Sequence, residues 1–128
     1  MSDDERRENG MSVRRQVLGD EHVDAAIART TASTADFQDF ITRTAWGDIW
    51  SRPNLDRRAR SIAVLSSLIA LGHEDEFVMH VRAALRNGLT RDEIVEVILQ
   101  SAIYAGVPAA NTAFRLAQPI LDGAEDRA

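Results

Sequence analysis

Apolar residues recur along this chain at intervals of three and four, with no stretch that alternates convincingly at every second position, and Ala is plentiful where Val and Thr would favour sheet. The pattern predicts an all-α protein. Asp4 to Leu18 carries a weak apolar face through Met11, Val17 and Leu18, with Gly10 a poor helix residue in its first half, and "GDEHVD" then breaks it. A short helix over 25–29 precedes "TTASTAD", where Ser33 or Thr34 can cap a helix bearing Phe37, Phe40, Ile41 and Trp46 and running to about Trp50. "SRPNLD" supplies a stop and a new start, with Asn54 or Asp56 as cap. The helix that follows is apolar on nearly all sides from Ile62 until Gly72, which predicts a central position. The next helix, Glu74 to Asn87, ends at Gly88 in the left-handed position that favours glycine. Thr90 and Glu93 form a capping box, and Ile94, Val97, Ile98, Ser101, Ala102 and Ala105 share one stripe until Gly106 and Pro108. Pro108 is suited to the first turn of a last helix whose inner face is Phe114, Ala117, Ile120 and Leu121, and Pro119 is expected to kink it. Residues 1–33 read as a helical arm and 34–122 as the core of a single domain spanning 1–128, with no internal repeat or long linker.

A chain of 128 residues buries a modest core, so its apolar helix faces gain by finding partners. Hydrophobic residues at 45% and charged residues at 27% are ordinary for a globular protein. The net charge of -5 is concentrated in acidic ends, "SDDE" and "DGAEDRA", and no basic stripe with interleaved aromatics supports a nucleic-acid partner. The start "MSDDERREN" lacks the apolar stretch of a secretory signal, which makes the cytoplasm the expected location. "IAVLSSLIALG", Ile62 to Gly72, is far shorter than the ~20 residues that span a bilayer, so no membrane partner is expected. Zero cysteines exclude disulfides, thiolate metal sites and every thiol mechanism.

Glu76 and His80 stand four apart on one helix, where a carboxylate can favour the imidazolium and orient the ring. The plainer reading is a solvated pair contributing a few tenths of a kcal/mol. His73 falls near the same face, but His73, Glu76 and His80 match no metal-binding spacing, and no metal is expected. "DRRAR" concentrates Arg57, Arg58 and Arg60 at a helix start, either as a two-point carboxylate grip or as a solvated or intersubunit face. Arg14 and Arg15 form a second basic pair with the same two readings. Trp46 and Trp50, one turn apart, suit packing or a subunit contact better than a substrate wall, and Tyr104 can donate a hydrogen bond in a pocket or cap the core.

Four stretches, "ENGMSVRRQVLGDEHVD", "WGDIWSRPNLDRRARS", "HVRAALRNGLTRDEI" and "QSAIYAGVPAANTAF", resemble in order and almost end to end the carboxymuconolactone decarboxylases of aromatic catabolism. The C-terminal two-thirds resembles the wider domain shared with alkylhydroperoxidase-like proteins, and the first two stretches resemble the decarboxylase branch in particular. The resemblance implies an alkylhydroperoxidase-like bundle of about six to seven helices that assembles as a closed homo-oligomer, a hexamer or trimer. Peroxidase members of that wider family carry an upstream glutamate, a C-x-x-C pair and a histidine four residues beyond it. Against that pattern His80 falls on the histidine, His73 and Glu76 on the cysteines, and Ser61 near the glutamate, so thiol-dependent peroxide reduction is excluded. Only His80 transfers directly; Glu76 is an inference from this sequence.

The implied activity converts 4-carboxymuconolactone to 3-oxoadipate enol-lactone and carbon dioxide without metal or organic cofactor. Its substrate is a small lactone dicarboxylate. On this reading His80, held and kept protonated by Glu76, donates the proton. Arg57, Arg58 and Arg60 grip the acetate side chain or the lactone oxygen, and the leaving carboxylate faces an apolar wall that includes Trp46, with Tyr104 a further pocket residue. Two other readings stand beside it: a cysteine-free relative acting on another lactone or ketoacid, and a non-catalytic helical assembly in which His80 and the arginines serve subunit contacts.

Overall fold

The computed structural model describes residues 1–126, of which 124–126 by backbone alone. The all-α expectation holds: seven α-helices and one π-helical stretch, with no strand among the described residues. The chain divides into two compact units, residues 1–57 and residue 58 onward.

The first unit comprises α1 (Asp3–Leu18), α2 (Asp20–Arg29) and α3 (Ala35–Ile41), which runs directly into a π-helical stretch, Thr42–Ile49. Ser2 caps α1 by accepting from the Glu5 amide at 3.1 Å, and Asp3, Asp4 and Glu5 complement the positive end of the helix. Gly19, at φ 91°, ends α1 and lets α2 begin at once, with Asp20 and Glu21 in its first turn. This is why α2 is longer than the apolar pattern predicts. The π-helical stretch also departs from expectation. Its wider turn, closed by the Trp50 amide on the Ala45 carbonyl at 2.9 Å, retards the register relative to an α-helix. Thr42, Trp46 and Gly47 are buried, while Phe37, on the same predicted helix as Trp46, is 60% exposed. Trp46 packs with Val13 and Val17 of α1.

The close approach of α1 to this stretch requires two glycines. A Cβ on Gly10 would lie 2.0 Å from the Thr42 carbonyl oxygen, and one on Gly47 would lie 2.8 Å from that of Arg6. Ion pairs flank the crossing: Arg6 grips Asp48 through Nε at 3.0 Å and Nη2 at 2.6 Å, and Asp39 receives both Arg7 and Arg43.

The second unit comprises α4 (Arg57–Leu71, its first residue at the unit boundary), α5 (Glu74–Arg86), α6 (Arg91–Tyr104) and α7 (Val107–Asp126). Its core is built from Leu65 and Ile69 of α4, Phe77, Val81 and Ala84 of α5, Ile94 and Ile98 of α6, and Ala110, Ala113, Ala117 and Leu121 of α7. Each fully buried Leu or Ile here contributes roughly 1.5–3 kcal/mol. The capping box predicted at α6 is formed: Thr90 accepts from the Glu93 amide at 3.1 Å, and Glu93 from the Thr90 amide at 2.8 Å. Gly88, at φ 100°, turns the chain between α5 and α6. Pro108 lies in the first turn of α7 and Pro119 inside it. One helix differs from its sequence reading: α4 is apolar nearly all round, yet it is buried along the single stripe Ser61, Leu65 and Ile69. Ile62, Ala70 and Leu71 remain on the surface.

Candidate active site

On α5 an apolar stripe at intervals of three and four turns Phe77, His80, Val81 and Ala84 inward. His80 is 7% exposed, and its Nδ1 is shut off from solvent. An imidazole thus stands where the helical period calls for a hydrocarbon. Glu76, one turn earlier, stands with Glu74 and Asp75 in the exposed first turn of α5. His73 precedes the helix and is also exposed. No cluster of His, Asp and Glu that could hold a metal ion occurs among the described residues.

Ser61 and Ser101 are also buried polar residues of this unit; Ser61, 1% exposed on the inner stripe of α4, accepts through its hydroxyl from Asn87 Nδ2 at 3.3 Å. The sequence signal for it was available: a hydroxyl on a stripe otherwise filled by Leu65 and Ile69, at the position that falls near the glutamate of the peroxidases.

The three arginines at the start of α4 do not share one environment. Arg58 donates through Nη1 to the Gly88 carbonyl and through Nη2 to Glu93, so it ties α4 to the α5–α6 turn and to the capping box. Arg57 and Arg60 are half-buried on the same helix, and Arg60 Nε is shielded from solvent. Held by Arg58 first and by the Thr90 amide second, the Glu93 carboxyl titrates below its ordinary value.

Tyr104 ends α6 and is 86% exposed. It lines an open groove of about 610 Å³ between α4 and α6, with Ile62, Ala70 and Val97 along its apolar part and Asp92, Glu93 and Glu96 among its lining. In the first unit, Trp46 is buried and its ring lies 5.3 Å from that of Trp50, tilted by 33°.

The chain is thus a cysteine-free, all-α protein with a buried imidazole on α5 and arginines at the start of α4, and the groove that Tyr104 lines includes neither. The sequence profile of the carboxymuconolactone decarboxylase family matches residues 35–119, and the chain belongs to that family. It is 46% identical over 120 residues to a 4-carboxymuconolactone decarboxylase of Acinetobacter baylyi, covering 94% of this chain and 90% of that one. It is also 46% identical over 48 residues to a 4-carboxymuconolactone decarboxylase of Pseudomonas putida, covering 38% of this chain and all of that sequence. A nitrosuccinic acid decarboxylase of Metarhizium robertsii is 38% identical over 120 residues, 94% of this chain and 84% of the relative. No helix among the described residues is long and apolar enough to cross a membrane.

Proposed function

We propose that the protein is a carboxy-lyase that decarboxylates 4-carboxymuconolactone to 3-oxoadipate enol-lactone and carbon dioxide, in the protocatechuate branch of the β-ketoadipate pathway and in the cytoplasm. The observation that carries this reading is 46% identity to a decarboxylase of that substrate across 94% of the chain. The substrate provides its own electron sink. As the carboxylate leaves, its bonding pair moves through the ring double bond to the lactone carbonyl, giving a dienolate that is then protonated on carbon. The protein therefore has to neutralise the enolate oxygen, deliver one proton and hold a dianion in register.

His80 is assigned the proton delivery, because it is the imidazole set into the buried stripe of α5; Glu76, one turn before it, is assigned to orient the ring. Arg57 and Arg60 are assigned the acetate side chain or the lactone oxygen. An arginine on the departing carboxylate would favour the ground state over the transition state and slow the step. Arg58 is the weakest of the three candidates, since Gly88 and Glu93 already engage it. Trp46 is assigned as apolar wall for the leaving group, and Tyr104 remains a proposed substrate contact. The family resemblance, together with the exposed apolar faces of α4 and α6, supports a homo-oligomer, a hexamer or trimer.

The test is carbon dioxide release from 4-carboxymuconolactone by the purified protein. A positioned acid contributes about 10²- to 10⁴-fold, so His80→Ala should lower kcat by that factor while leaving the fold intact by circular dichroism. Full turnover by a folded His80→Ala protein removes the histidine from this role. The similarity to a nitrosuccinic acid decarboxylase favours a second reading, in which the substrate is another dicarboxylic acid bearing an electron-withdrawing group. Release of carbon dioxide from nitrosuccinate but not from the lactone would select it.

A further inference from the structure

We propose that Arg14, together with Gln38 and Thr42, forms a carboxylate-binding site within the first unit. Arg14 is only 5% exposed. Its guanidinium donates through Nη1 to Thr42 Oγ1 at 3.4 Å and through Nη2 to Gln38 Oε1 at 3.1 Å. Both acceptors are neutral, and Thr42 Oγ1 is held in place by donating to the Gln38 carbonyl at 2.7 Å. The third nitrogen, Nε, is buried and has no hydrogen-bond acceptor among the described residues.

Four other arginines of this unit make the contrast. Arg6, Arg7, Arg15 and Arg43 lie nearer the surface, and each is paired with an aspartate. Arg14, the buried one, has no carboxylate within ion-pair distance among the described residues. Burial alone lowers its pKa, with no neighbouring anion to raise it. A buried cation without a counter-charge is costly to fold around, and such departures from local rules concentrate at functional positions. A guanidinium with Nε and a neighbouring Nη presents the side-on edge that takes both oxygens of a carboxylate. Thr42 is one turn before Trp46 on the π-helical stretch, and Arg14 follows Val13, which packs with Trp46, so the site adjoins the tryptophan cluster. The residue that could have closed the pair internally is position 38, where glutamine replaces the shape of glutamate without its charge.

The carboxylate could belong to the dianion of the proposed reaction, in which case the site rests on that reading, or to another small acid. Gln38→Glu separates these from a purely structural role, because it completes an internal ion pair. Thermal denaturation is followed at constant ionic strength with adipate, and with neutral adipamide as control. Wild type should gain thermal stability from adipate and not from adipamide. Gln38→Glu should start from a higher Tm and lose the adipate response, and Arg14→Met should lose the response as well. If the ligand is the substrate, KM for the lactone should rise about tenfold or more in Gln38→Glu, with a smaller change in kcat, as expected for loss of a charge-assisted hydrogen bond. An unchanged KM with a lost adipate response assigns the site to another acid. An adipate response equal in wild type and Gln38→Glu overturns the site while leaving the reaction standing. A protein that turns over no lactone but binds adipate through Arg14 overturns the reaction and keeps the site.

Discussion

Gly10 illustrates how a single residue can be misjudged from its local context. As a helix residue it costs about 1 kcal/mol relative to alanine, and by propensity Gly10→Ala should stabilise α1. The structure reverses the sign. The new Cβ would meet the Thr42 carbonyl oxygen at 2.0 Å, and a backbone atom held in a π-helical stretch cannot rotate aside as a side chain does. Overpacking of this kind typically costs about 1–3 kcal/mol, which exceeds the propensity gain at its upper end. Gly10→Ala is therefore expected to lower the urea midpoint with an unchanged m-value; a raised midpoint would show that α1 and the π-helical stretch can separate freely. Nothing in the sequence reveals this contact, because its partner lies 32 positions away and is a carbonyl that every residue possesses. The same limit applies to Arg14. Its neighbour Arg15 looks identical in sequence, yet one is buried against Gln38 and Thr42 and the other pairs with Asp20 and Asp24 at the surface.

Among the elements, α6 was the most legible. Thr90, Glu93 and Gly88 act within a few residues of one another, so the spacing alone specified the cap and the turn before it. What spacing could not specify is that Arg58, 35 positions upstream, closes on the same glutamate and on the Gly88 carbonyl. This adds to the reading of "DRRAR": one of its arginines, Arg58, ties α4 to the α5–α6 turn. Two outcomes follow for stability. Thr90→Ala removes the cap and should cost about 1 kcal/mol, measured by denaturant titration at neutral pH. Glu93, whose folded-state pKa is depressed by Arg58 and the Thr90 amide, stabilises the fold fully above its ordinary carboxyl pKa, and that contribution disappears as pH falls through the depressed value. Asp39 and Asp48, lowered first by Arg7 and Arg6 respectively, act in the same direction. Glu93→Gln should accordingly flatten the loss of stability on the acid side, and an unaltered acid limb would mean that the Arg58 contact is not maintained in solution. The break inside the helix predicted from Thr34 to Trp50 was illegible for a different reason. A π-helical turn leaves the apolar spacing almost intact while shifting which residues face inward, and Phe37 and Phe40, carried by the same predicted helix as the buried Trp46, are exposed.

At the scale of the molecule, the surface of the second unit is what a lone chain explains least well. Ile103 is 80% exposed, and Leu99, Tyr104 and Val107 are exposed beside it on α6 and the start of α7. The groove between α4 and α6 continues this surface with Ile62 and Val97. α4 was expected to be central because it is apolar nearly all round, yet within one chain it is buried along one stripe only. Both facts are reconciled if a second copy of the chain covers the α4–α6 face, which makes α4 central to the assembly instead of to the monomer. A stable interface needs roughly 1,000 Å² or more of buried surface with an apolar centre, and these side chains provide such a centre with Asp92, Glu93 and Glu96 in the groove lining. Ile103→Glu places a charge in that centre without replacing any residue of the buried core, since Ile103 is 80% exposed and not among them. It should reduce the assembly to smaller species by light scattering while leaving helical content by circular dichroism unchanged. If turnover falls together with the assembly and returns at high protein concentration, the active form requires neighbouring subunits; if the mass is unaltered, the proposed subunit interface is not this face of α6.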